Sequence, residues 1–151
     1  MKIKSLLFIL LFIFLLSACV STKSTLMNVD DNAPIPKLTK DNTFVITEYS
    51  KDKKYGYHPN YPINIFYKNT LDENSNPARF FNALTGPKGE KIVYIKTGNC
   101  CPFPTKKSEM GAGFLSVYEI TWEGLKKPIV LYLNLYEKGK IAVPIGFELK
   151  K

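Results

Sequence analysis

The last third of the chain is written in a period of two. Between Phe114 and Glu123, residues Phe114, Tyr118, Ile120 and Trp122 share one parity. From Ile129 to Tyr136, Ile129, Leu131, Leu133 and Leu135 fall on one side, and Val130, Tyr132, Asn134 and Tyr136 on the other. From Ile141 to Leu149, Ile141, Val143, Ile145, Phe147 and Leu149 fall together. Side chains of a strand alternate between the faces of a sheet, so these runs predict half-buried strands. Their connections, a loop over 123–128 and a turn over 137–140, are short. Short connections join antiparallel neighbours, whereas parallel pairs need a crossover of about a dozen residues or more. Pro144 has no amide to give a ladder, so its strand is expected at an edge or with a bulge.

Upstream, Thr43–Tyr49, Ile63–Tyr67 and Glu90–Thr97 are β-branched and aromatic and read as further strands. One helix is expected between Asn76 and Gly86. Asn76 suits its cap and Pro77 its first position, while Gly86 suits a left-handed stop and Pro87 prevents continuation. Phe80, Phe81, Ala83 and Leu84 would form its buried stripe. The expected fold is α+β: mostly an antiparallel β meander with one short helix, in a single small domain over residues 41–151. Residues 20–40 are polar, carry Pro34 and Pro36 and show no periodicity. With Cys19 they are read as a tether over 19–40.

The chain begins differently. Lys2 and Lys4 precede an unbroken apolar run from Leu6 to Leu16, then Leu16-Ser17-Ala18-Cys19. The run suits a signal-peptide core and is short for a membrane span. Those four residues resemble the bacterial lipobox. The resemblance implies a signal peptide over 1–18 and a lipidated Cys19 as the first mature residue. Several acyl chains together anchor a protein stably. Val20, in place of an aspartate, implies the outer membrane, with the domain facing the periplasm.

The full chain carries a net charge of +8. A basic domain beside a membrane can favour anionic lipid or wall polymers. The lysines are scattered, however, with pairs at 53–54, 106–107 and 126–127 in expected loops, and Arg79 is the single arginine. Nucleic acid is not an expected partner outside the cytoplasm.

Chemistry-bearing motifs are few. With Cys19 lipidated, Cys100 and Cys101 in Gly98-Asn99-Cys100-Cys101-Pro102-Phe103-Pro104 are the remaining thiols. In an oxidising compartment exposed free thiols do not persist. A bond between neighbours is awkward, because α-carbons about 3.8 Å apart fall short of the usual disulfide span. A vicinal disulfide and a pair of buried thiols therefore stand as equal readings, with redox use of the pair behind them. Adjacent thiolates suit Cu(I), but one pair and one histidine do not make a zinc site; no metal and no cofactor is expected. His58 lies in a loop with Tyr55, Tyr57 and Tyr61, where flat, polar-tipped rings suit a sugar or a protein partner. No nucleophile elbow, phosphate loop or zinc-protease motif occurs.

Through most of residues 19–151, the stretches YGYHPNYPINIFY, RFFNALTGPKGEKI, CCPFPTKK, GAGFLSVYEITWEG, LYLNLYEKG and VPIGFELK resemble a group of small bacterial lipoproteins. Some of that group carry the name 2-dehydro-3-deoxyphosphooctonate aldolase. That enzyme is a TIM barrel of about 250 residues with alternating strands and helices, which residues 19–151 with one helix do not supply. The expected function is a lipid-anchored envelope module that binds or scaffolds, with an envelope protein or glycan as partner. The alternative is an envelope redox or hydrolytic enzyme using Cys100 and Cys101, with His58 as a base.

Overall fold

The computed structural model describes residues 24–68 and 70–151. The apolar run and Cys19 lie outside the described residues. In chain order the elements are β1 (Ile63–Asn64), a 3-10 turn (Glu73–Ser75), α1 (Asn76–Phe81), β2 (Leu84–Thr85), β3 (Val93–Pro104), β4 (Ala112–Thr121), β5 (Ile129–Asn134) and β6 (Glu148–Leu149). The protein is α+β, with β3, β4 and β5 forming an antiparallel meander as the short connections require. The main sheet has the order β1-β5-β4-β3, with β1 added parallel to β5; β2 and β6 pair separately and antiparallel.

One face of the main sheet carries the core. Ile120 lies opposite Ile129, Tyr118 opposite Leu131 and Ser116 opposite Leu133. Helix α1 lies against this face through Phe80 and Phe81, both fully buried. The Phe81 ring stacks on Tyr94 at 4.6 Å and meets Tyr118 at 5.0 Å. Ile63, Ile65, Phe44 and Val143 belong to the same cluster. The opposite face is open over part of its width, with Val93 at 54 % and Ile95 at 64 % exposure.

Several expected elements differ. Ile63–Tyr67 pairs as a strand only over Ile63–Asn64, with Ile65 bridging to Lys138. Thr43–Tyr49 alternates correctly, with Phe44 and Ile46 inside and Val45 outside, yet forms no strand. Its amides are shared out: Phe44 N–H donates to Arg79 C=O and Val45 N–H to Lys37 C=O, while Tyr49 bridges to Val143. Backbone groups satisfied on three partners leave no ladder. The helix ends at Phe81, short of Gly86, because Leu84 and Thr85 pair with Leu149 and Glu148. Ser75 is its cap, Gly86 is not left-handed, and Asn76 is buried inside it. The Asn76 amide donates to Ile65 C=O at 2.9 Å. The run 141–149 breaks at Pro144, where Phe147 N–H closes a turn onto Pro144 C=O and Gly146 takes a φ of 94°. Ile145 sits at the tip, exposed, instead of facing inward with Val143 and Phe147.

Residues 24–40, read as tether, lie in irregular structure but against the domain. Met27 N–H donates to Asn60 C=O, Asp30 N–H to Lys138 C=O, and Leu38 bridges to Phe44. Ala33 is buried.

Candidate functional site

β3 is an outer strand of the sheet, and the cysteine pair lies within it. Cys100 faces Leu115 and Phe103 faces Gly113, so Cys101 and Pro102 together oppose Phe114 alone. Two residues against one is a β-bulge. Cys101 has a φ of 55°, a left-handed conformation that costs an L-residue roughly 1–2 kcal/mol. Cys100 and Cys101 are disulfide-bonded to one another with α-carbons 3.7 Å apart, the spacing across a trans peptide. The ring clamps the bulge residue where the sequence provides no glycine. With Pro102 and Pro104, which lack amides, the bulge interrupts the free edge of the sheet. Beyond it Phe103 is buried edge-on against Tyr136 at 5.9 Å. Gly113 makes room for that ring: a Cβ there would lie 2.8 Å from Tyr136.

The tyrosine loop is docked on β5. Gly56, at a φ of 80°, donates to Tyr61 C=O and accepts from Tyr132 N–H. Tyr55, expected at a ligand surface, is 6 % exposed and belongs to the core. Its hydroxyl accepts from Ala142 N–H at 3.1 Å, and burial raises its pKa well above the usual tyrosine range. Tyr57 is half-buried and donates to Ile145 C=O at 2.5 Å; burial raises its pKa as well. Tyr61 is half-buried beneath the Lys54 ammonium, 5.7 Å from the ring centre. His58 is exposed, and its Nδ1 accepts from Asn60 N–H at 3.1 Å. Among the described residues no hydrogen bond joins His58 to the cysteine pair, so the nucleophile–base arrangement is not assembled.

A third place was not visible in the sequence. Where Tyr136 leaves β5, Asn134 turns its side chain back. Its Oδ1 accepts from Tyr136 N–H at 2.9 Å and Glu137 N–H at 3.3 Å, and its amide donates to Asn64 at 2.8 Å. The Asn64 amide in turn donates to Asn28 C=O at 2.9 Å, pinning the incoming segment. This turn carries Glu137 inward, to 5 % exposure. One of its carboxylate oxygens accepts from the buried Thr105 hydroxyl. Ser24, Leu26, Val29, Asp31, Lys106, Lys107 and Glu137 line a cleft of about 460 Å³, within the usual size of ligand sites. The ion pairs among the described residues are Lys107–Asp31 at 3.7 Å and Lys140–Glu48 at 2.7 Å; neither involves Glu137. The only sequence sign of this site was the Lys106-Lys107 pair, which reads equally well as a solvated loop.

Comparison of the chain with protein families, with curated proteins and with solved structures finds no match.

Proposed function

We propose that this chain is a lipid-anchored cell-envelope protein that acts as a small binding or scaffolding module facing the periplasm of an outer membrane. The observation that carries the reading is Leu16-Ser17-Ala18-Cys19 placed directly after the apolar run Leu6–Leu16. The layout of the domain supports it. Only Val20–Lys23 separate Cys19 from Ser24, which caps the distance between the two α-carbons at about 18 Å. The segment from Ser24 onward is stitched to the domain at Asn60 and Lys138, so an anchor at Cys19 would hold one side of the fold close to the bilayer. The test is mass spectrometry of the N-terminal peptide from membranes of the producing bacterium. The expected species starts at Cys19 with diacylglycerol and acyl chains, and Cys19→Ser removes both lipid and membrane retention. An N-terminus elsewhere, or an unmodified Cys19, sinks the reading.

A second reading, an envelope redox or hydrolytic enzyme built on Cys100 and Cys101, is favoured by one observation. The bonded pair is half-buried on an outer strand, within reach of a thiolate. Against it, the pair already serves as a backbone clamp at a bulge. A dithiol–disulfide titration of the mature protein separates the two. A clamp stays oxidised across the range set by a glutathione buffer, and a redox centre interconverts within it.

A further inference from the structure

Glu137 is 5 % exposed, and among the described residues its carboxylate accepts one side-chain hydrogen bond, from Thr105. A buried charge is costly unless it is paired and hydrogen-bonded. Thr105 supplies one neutral hydrogen bond, and among the described residues no cation lies against the carboxylate. The residue lines a cleft whose rim carries the exposed ammonium groups of Lys106 and Lys107. A purely anionic ligand would meet Glu137 and Asp31 as like charges, and a purely cationic one would meet the two lysines. A small group with an ammonium at one end and an anion at the other suits both. Leu26 and Val29 add an apolar wall on the side from which the chain arrives.

We propose that this cleft binds a phosphoethanolamine group, with its ammonium on the Glu137 carboxylate and its phosphate between Lys106 and Lys107. An ammonium of this kind offers three donors to the free carboxylate oxygen and its surroundings. Lys107 pairs with the exposed Asp31 at 3.7 Å, so a phosphate would take over that carboxylate's place on the ammonium. Two sources offer the same chemistry: the headgroup of a membrane lipid, or a soluble compound released from one. The lipid source rests on the membrane-anchored reading given above; the charge pairing at Glu137 does not.

The test uses the full mature protein in detergent micelles with sn-glycero-3-phosphoethanolamine as the probe, followed by calorimetry. Saturable binding is expected, weakened at least tenfold by Glu137→Gln, which keeps the carbonyl that accepts from Thr105 and removes the charge. Should that variant fold poorly, Lys106→Ala with Lys107→Ala, both at the exposed rim, is expected to weaken the probe at least tenfold with the fold intact. Glycerophosphocholine, whose quaternary nitrogen has no N–H, is expected to bind at least tenfold more weakly. In nanodiscs, competition of the probe by phosphatidylethanolamine but not by phosphatidylcholine assigns the membrane lipid as source. Probe binding without such competition assigns the soluble compound.

The proposal is overturned if inorganic phosphate or glycerophosphocholine binds as tightly as the probe. It is equally overturned if folded Glu137→Gln binds unchanged, or if the natural chain does not bind. Probe binding gained only in Lys23→Ala would also overturn it, by placing the chain's own Lys23 on Glu137. An unlipidated Cys19 with intact probe binding would remove the membrane reading alone and leave the site.

Discussion

The left-handed residue at the cysteine bulge lends itself to a test with a sign as well as a size. Consider Cys100→Ser with Cys101→Ser against Cys100→Ser with Cys101→Gly. Opening a ring between neighbours frees little chain: the loop-entropy relation gives about 1 kcal/mol for so short a loop. Both variants lose that amount. They differ at residue 101, where φ is 55°. Serine there bears the steric cost of a left-handed L-residue, roughly 1–2 kcal/mol, and glycine does not. Glycine gives back roughly 0.5–1 kcal/mol through its more flexible unfolded chain. The glycine variant should therefore be the more stable by about 0.5–1 kcal/mol, or about 2–5 °C in Tm for a domain of this size. Melting is followed by fluorescence of Trp122, the single tryptophan, whose ring lies edge-on to Phe147 at 5.6 Å. Asn99→Gly supplies the control of opposite sign. Asn99 pairs regularly with Ser116 and is not among the positive-φ positions, so glycine there should lower stability by about 0.5–1 kcal/mol. If the serine variant melts at or above the glycine variant, the bulge does not keep its left-handed residue without the ring. The bulge itself would then not require a left-handed residue at 101.

Three further outcomes follow from buried positions. Arg79, 3 % exposed, spans the loops through Asn42 Oδ1 at 3.0 Å, Asp72 C=O at 2.5 Å, Asn76 Oδ1 at 2.9 Å and Leu71 C=O. Arg79→Lys keeps the charge but loses the planar fork, and should cost about 3 kcal/mol in urea unfolding; a loss below 1 kcal/mol would contradict that role. Tyr67 is buried, donates to Gly139 C=O, and has its pKa pushed up to about 12, chiefly by burial. A raised folded pKa means stability is fully present below about pH 10 and is lost as pH climbs toward 12, by roughly 2–3 kcal/mol. Tyr67→Phe should lower stability by about 1 kcal/mol at pH 7 and flatten the alkaline fall; an unchanged slope above pH 10 would refute the assignment. Finally, a Cβ on Gly139 would lie 2.5 Å from Asn28 C=O. Gly139→Ala should cost about 1–3 kcal/mol and speed hydrogen exchange at Asp30 N–H, whose acceptor is Lys138 C=O; unchanged exchange would mean that the incoming segment is not held there.

What could be read in advance, and what could not, divides along the reach of the interactions. Leu131 and Leu133 against Val130 and Tyr132, and Phe80 with Phe81, were legible because parity and helical spacing are properties of neighbours in sequence. The pairing of Thr85 with Glu148, which cuts the helix short, and the sharing of the Phe44 and Val45 amides between Arg79 and Lys37 depend on partners far along the chain. No local pattern announces them. Asn76 shows the same limit from another side. It has a good capping side chain, but Ile65 and Arg79 offer that side chain a buried set of bonds, and Ser75 takes the N-cap position without a side-chain cap bond. Tyr55 was placed at a surface because a loop rich in tyrosine and lysine usually is one, yet the Ala142 amide and the core draw it in. Glu137 carries the argument furthest. In sequence it opens a charged turn, Glu137-Lys138-Gly139-Lys140, and nothing separates it from any solvated acid. What buries it is the Asn134 side chain gripping the amides of Tyr136 and Glu137, the Thr105 hydroxyl arriving from the end of β3, and the segment from Ser24 closing over the cleft. Three separate stretches of chain converge on one carboxylate, and among the described residues none of them gives it a counter-charge. An amine ligand in the cleft would supply one.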